Sequence, residues 1–138
     1  MTIERPDTGT LILRRADSFV VDRGLSVYRS AKYPMKTGEV IRLTGVTVSV
    51  LKTDAKGWPL DAAFVFDRPL DDDTYLWYTG AMVSERNPRT GRVARVERYF
   101  PIAVPAVGET ATAQELLDRS PQYQAMLAAA KAPPAKAS

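Results

Sequence analysis

The residues most able to do chemistry in this chain are a run of carboxylates, a serine with a lysine three positions on, and a ladder of arginines. Asp71-Asp72-Asp73, with Asp67 just before them, supply the oxygen atoms that Ca²⁺ or Mg²⁺ takes as ligands. Consecutive aspartates in a turn point different ways, and the spaced pattern of a calcium-binding loop is missing, so a solvated turn is favoured over a metal site. As a glycosidic acid/base pair the same groups need a sugar cleft between them, which a domain this small rarely provides. Ser49-Val50-Leu51-Lys52 contains the bare Ser-x-x-Lys string of Ser/Lys hydrolases, whose pair sits one helical turn apart. Both residues fall in a predicted strand, where an odd separation sets them on opposite faces and argues against that chemistry.

Arg86, Arg89, Arg92, Arg95 and Arg98 recur every third residue, with Tyr99 and Phe100 beside them and Glu97 as the one acid between 86 and 98. Arginines beside aromatic rings neutralise phosphates and stack on bases, which is the chemistry of single-stranded nucleic-acid binding. The plainer reading is an exposed hairpin whose charges blunt its edges or meet a partner, and the alternation of faces at spacing three weakens a single basic surface. Trp58, Tyr75, Trp77 and Tyr78 read as core and cross-strand packing before they read as a ligand pocket. Other chemistries are closed. The chain has no Cys and no His, which removes thiolate and imidazole nucleophiles, bases and ligands. Its single scattered glycines form neither a phosphate-binding loop nor a dinucleotide fingerprint, and no cofactor is called for.

The elements that must position these groups follow from period-2 alternation up to about residue 105, in short runs broken by Gly, Pro and Asp. Strands are predicted at 10–15, 19–22, 25–29, 39–44, 46–50, 60–67, 75–85 and 92–100. Val46, Val48 and Val50 line one face of the clearest of these, with Thr47 and Ser49 on the other. Asp54-Ala55-Lys56-Gly57 turns the chain into a return strand, and Asn87-Pro88-Arg89-Thr90-Gly91 closes a second hairpin that carries the arginines. Thr112 and Glu115 have capping-box spacing and Ser120-Pro121 repeats a helix start. Tyr123, Met126, Leu127 and Ala130 then form a narrow apolar stripe, fit to dock on the sheet or to meet a partner helix.

The 138 residues, 45% hydrophobic with a net charge of +3, suffice for one core without a staple. The expected organisation is a β-domain over 1–110, a helical segment over 111–131 and a disordered Ala/Pro/Lys tail over 132–138. No stretch is long and apolar enough to span a bilayer, and Met1 to Asp7 lack the order of a signal peptide, so the chain reads as soluble as written.

The order Tyr28-Arg29-Ser30, P-M-K-T-G-E-V-I-R-L-T-G-V-T-V-S-V-L at 34–51, G-W-P-L-D-A-A-F-V-F-D-R-P-L-D-D at 57–72, Leu76-Trp77 and P-A-V-G-E-T at 105–110 resembles a β-rich C-terminal domain of bacterial multi-pass membrane proteins, a family whose function is not established. The resemblance spans roughly residues 3–110 and rests on turn and strand residues, so it implies fold and context and carries over no active residue. The family pattern has a short link where this chain inserts the Arg-rich hairpin, and this chain adds the C-terminal helices.

The expected fold is mostly β, a small antiparallel sandwich or partly open barrel with a short C-terminal helical segment. The expected function is that of a non-catalytic accessory domain contacting a partner protein, on the cytoplasmic or periplasmic side of a bacterial inner membrane if the resemblance holds. The contact residues would be Arg86, Arg89, Arg92, Arg95, Arg98 and Tyr99, with Tyr123, Met126 and Leu127 for a partner helix. A polyanion-binding module on the same arginines is the first alternative, and a carboxylate-based metal or hydrolytic domain the second.

Overall fold

A computed structural model describes residues 1–16 and 33–132. The strands expected at 19–22 and 25–29, and the tail from 133 on, lie outside those residues. The protein is mostly β, as its alternation predicts. Eight strands among the described residues form two antiparallel sheets, followed by two short helices. The chain divides into two compact units, Met1–Tyr75 with Val104–Ala113, and Leu76–Ala103 with Gln114–Ser138.

The first unit is a six-stranded sheet. Its strands are β1 (Thr2–Glu4), β2 (Thr10–Arg14), β3 (Val40–Leu43), β4 (Val46–Thr53), β5 (Pro59–Phe66) and β8 (Thr110–Thr112), in the order β3-β4-β5-β2-β1-β8. Among the described residues this sheet is open, with β3 and β8 as its edges. The valine triad pairs as its spacing dictates: Val46 faces Phe66, Val48 faces Phe64 and Val50 faces Ala62. Leu11 and Leu13 continue that face from Phe64 and Ala62, and Ile3 and Ala111 extend it across β1 and β8. Val50, Ala62, Leu11, Ile3 and Ala111 are all buried, so this face is the unit's core.

Both edge strands are entered through the same turn. In Lys36-Thr37-Gly38-Glu39, the Glu39 N–H donates to the Lys36 carbonyl at 3.0 Å, while the Glu39 carboxylate accepts from the Lys36 N–H at 3.1 Å. Ala106-Val107-Gly108-Glu109 repeats both bonds at 2.9 and 2.8 Å. Gly38 and Gly108 hold φ of +88° and +84°, the left-handed value that such a turn demands at its third position.

The second unit is a hairpin of β6 (Tyr78–Arg86) and β7 (Val93–Pro101), with α2 (Pro121–Lys131) packed on it. Short α1 (Ala113–Asp118) follows β8 directly, and Ser120 and Pro121 take the cap and first-turn positions of α2 that their types predict. Phe100, Val83 and Leu117 form the buried cluster, with Tyr123 and Met126 of the apolar stripe against it. The Phe100 and Tyr123 rings meet edge to face at 5.2 Å. Two of the three residues expected for a partner helix are therefore occupied within the chain.

Candidate functional site

The Arg-rich hairpin is closed by its own sequence. The Asn87 side-chain oxygen accepts from the N–H groups of Arg89 and Thr90 at 2.8 and 3.1 Å, and the Gly91 N–H donates to the Asn87 carbonyl at 2.8 Å. From that turn the strands run in unbroken register, Arg86 opposite Val93 through to Tyr78 opposite Pro101. Side chains of directly paired residues share a face, so the register sorts the hairpin into two.

One face carries Ala81, Val83, Val96 and Phe100, and α2 lies on it. Arg98 is also on this face, where its guanidinium holds Glu85 through two hydrogen bonds of 2.6 and 2.7 Å. Those bonds hold the Glu85 carboxyl below its usual range. Between this face and α2 runs a groove of about 490 Å³, with Phe100, Met126 and Ala130 in its lining and the Glu85–Arg98 pair at its wall.

The other face is open. Tyr78, Met82, Val93 and Tyr99 sit there 55%, 55%, 58% and 65% exposed, a concentration of apolar and aromatic surface that a hairpin does not need for its own folding. Tyr99 and Glu97 reach over Gly80, the cross-strand partner of Tyr99. A Cβ at position 80 would come within 2.7 Å of a Glu97 carboxylate oxygen and 3.3 Å of the Tyr99 ring, so the glycine leaves room that a larger residue would take by shifting the end of the Glu97 side chain. The Tyr99 hydroxyl donates to Glu97 at 3.0 Å, and that bond to a carboxylate raises the phenol above its ordinary value.

The arginine ladder is split by this geometry. Arg86 and Arg95 are on the open face, Arg89 and Arg92 are in the turn, and Arg98 is on the helix face. Among the described residues, Arg98 has a carboxylate partner and the other four have none, although the Arg86 guanidinium donates to the Gly91 carbonyl at 2.7 Å. Tyr78 corrects an expectation: it faces solvent on the open side instead of packing in a core. Tyr75 does pack, edge to face against Phe66 at 5.5 Å.

The carboxylate run is divided in the same way. Asp72 accepts from the Thr74 N–H and hydroxyl at 2.9 and 2.6 Å, while Asp71 turns to Arg5. No group of three or more His, Cys, Asp or Glu among the described residues is placed to hold a metal ion. Arg5 is 2% exposed, and its guanidinium donates to both Asp71 oxygens at 3.0 and 2.5 Å and to the carbonyls of Asp7, Thr8 and Pro105. Sequence reasoning missed this residue, because its partners Asp71 and Pro105 lie 66 and 100 positions away and leave no local pattern.

Hydrogen bonds from Arg5 pull the Asp71 carboxyl below its ordinary value, outweighing the opposing desolvation. A carboxyl lowered in the folded state stabilises fully above its unfolded value and loses that contribution as pH falls through the folded one. The first unit is therefore expected to lose stability on acidification below its ordinary value of 3.8. Asp71→Asn is expected to be less stable at neutral pH and to show a flatter acid limb, followed by circular dichroism across a pH series.

Ser49 and Lys52 bring a second correction. The register of β4 on β5 shifts between Val50 and Lys52, leaving Leu51 as a bulge, so Ser49 opposes Ala63 and Lys52 opposes Asp61 on one shared face. No hydrogen bond joins them, and neither is on a helix. The chain matches no protein-family model, no curated protein and no solved structure.

Proposed function

We propose that this chain is a non-catalytic interaction domain whose contact surface is the open face of the β6–β7 hairpin. The observation that carries the reading is the exposure of Tyr78, Met82, Val93 and Tyr99 on one sheet face beside Arg86 and Arg95. Tyrosine, methionine and arginine are the residue types that protein interfaces concentrate, with aromatic and arginine anchors supplying most of the binding energy. The resemblance adds the setting, a partner protein in a bacterial membrane assembly. No helix among the described residues is long and apolar enough to cross a membrane, so the domain would meet such a partner from outside the bilayer.

The test is site-specific photo-crosslinking in the source cells. A crosslinker at position 82 or 93 is expected to give one discrete protein adduct that disappears when Tyr99→Ser is added, while position 40 on β3 gives none. Adducts as strong from position 40 as from 82 would overturn the reading.

The four arginines without a carboxylate partner favour a second reading, polyanion binding. It predicts that a short single-stranded oligonucleotide binds at low salt, with log K falling by roughly 0.7 per decade of salt for each phosphate neutralised. Replacing Arg86, Arg89, Arg92 and Arg95 by serine would then abolish binding, and an oligonucleotide that fails to bind at low salt removes the second reading.

A further inference from the structure

The open face has an open edge beside it. The Asn87 N–H donates to the Arg92 carbonyl, and the Ile102 N–H donates to the Trp77 carbonyl at the far end. Bonded pairs recur every second residue along an antiparallel ladder, so Ala94, Val96, Arg98 and Phe100 turn their backbone groups toward β6. Val93, Arg95, Glu97 and Tyr99 turn theirs outward. Among the described residues no third strand joins this sheet, and Pro101, which lacks an N–H, ends the edge.

We infer that β7 pairs antiparallel with β7 of a second copy of this chain, centred on Val96, so that two hairpins join into one four-stranded sheet. In that register Arg95 stands opposite Glu97 of the second copy and Glu97 opposite its Arg95. Val93 stands opposite Tyr99, and the two Val96 residues face one another across the two-fold axis. Every outward backbone group from 93 to 99 gains a partner, and each open-face contact is an opposite-charge or apolar–aromatic pair, the kinds that stabilise a sheet.

The edge also selects this register. A slip by two residues along the partner sets Arg95 against Arg95 in one direction and Glu97 against Glu97 in the other, and like charges directly opposite repel. The outer edge of β6 offers no such complement, since Tyr78, Gly80, Met82, Ser84 and Arg86 contain a cation and no acid. An isologous contact of this kind closes on itself and stops at two copies. It goes beyond the proposed function: the pairing uses the strand edge and leaves Tyr78, Met82 and Arg86 of the open face uncovered.

The experiment is sedimentation of the full chain from micromolar to millimolar concentration, with a charge-swap cycle. The wild type is expected to approach twice the 15.2 kDa chain mass. Arg95→Glu or Glu97→Arg alone should weaken the association by about tenfold or more, since each single change sets like charges opposite at two symmetric places. The double swap R95E/E97R should restore it.

Because the chain has no cysteine, Val96→Cys should oxidise to a disulfide-linked dimer across the axis, whereas Met82→Cys should not. A protein that stays monomeric throughout, a dimer indifferent to either single reversal, or a double swap that fails to restore association would overturn the inference. None of these results bears on the crosslinks expected from position 82, which test the proposed function separately.

Discussion

Arg5→Ala is expected to be the most destabilising single change in the first unit, lowering its stability by about 2 kcal/mol, the scale of losing hydrogen bonds to a buried charged group, and its melting temperature by roughly 10 °C. The guanidinium ties together three stretches that the chain brings from far apart: the turn at Asp7 and Thr8, the loop at Asp71 and the strand approach at Pro105. Asp71 and Pro105 flank residues 76–103, which belong to the second unit, so Arg5 fastens the chain on both sides of that excursion. Removing it leaves the Pro105 carbonyl with one fewer donor in a buried position and takes the fork away from Asp71. Arg5→Lys keeps the charge but cannot present paired donors to a carboxylate, so roughly half the loss is expected from it. Urea unfolding followed by far-ultraviolet circular dichroism measures both. An Arg5→Ala protein as stable as wild type would mean that the clamp contributes nothing.

The core face of the first unit was legible because alternation is a local signal. Val46, Val48 and Val50 announce their shared face within five residues, and Ala62, Phe64 and Phe66 announce the partner, so the pairing of β4 with β5 follows from pattern alone. β1 and β8 were not predicted. Each is three residues long, too short to show a period: β1 exists because β2 and β8 lie on either side of it, and β8 because β1 lies beside it. Arg5 belongs to the same class, since its burial comes from groups 66 and 100 positions away. The bulge at Leu51 was invisible for a related reason: it is a property of two strands in register, and it turns Lys52 to the face that parity denied it.

The hairpin was half legible. Its turn and its two strands could be read from Asn87 to Gly91 and the flanking alternation, and the spacing of the arginines correctly implied that they divide between faces. Which face would be buried could not be read, because both are apolar. Ala81 and Val83 alternate with Tyr78 and Met82, and a period-2 pattern with apolar residues in both phases does not name its inside. The choice is made by α2, which brings Tyr123 and Met126 to Val83 and Phe100 and leaves the tyrosine face uncovered.

That choice rests chiefly on one ring. Phe100→Ala is expected to cost the second unit about 3 kcal/mol, the lower end for deleting a buried aromatic side chain, because Met126 and Tyr123 can partly collapse into the space. Phe100 touches the cluster from the sheet side, and its edge-to-face contact with Tyr123 is the one aromatic pair between β7 and α2 among the described residues. An isolated helix of 11 residues is below the roughly 12–15 at which helices become even marginal in water, so α2 holds its shape by docking. Loosening the dock should therefore unravel the helix: the amides of Gln124 to Ala128 should lose hydrogen-exchange protection, and the ellipticity at the helical minimum should fall. Phe100→Leu keeps most of the buried volume and should retain most of that protection. If α2 amides in the Phe100→Ala protein exchanged as slowly as in wild type, the helix would have another anchor and the tyrosine face would owe its exposure to something other than this packing.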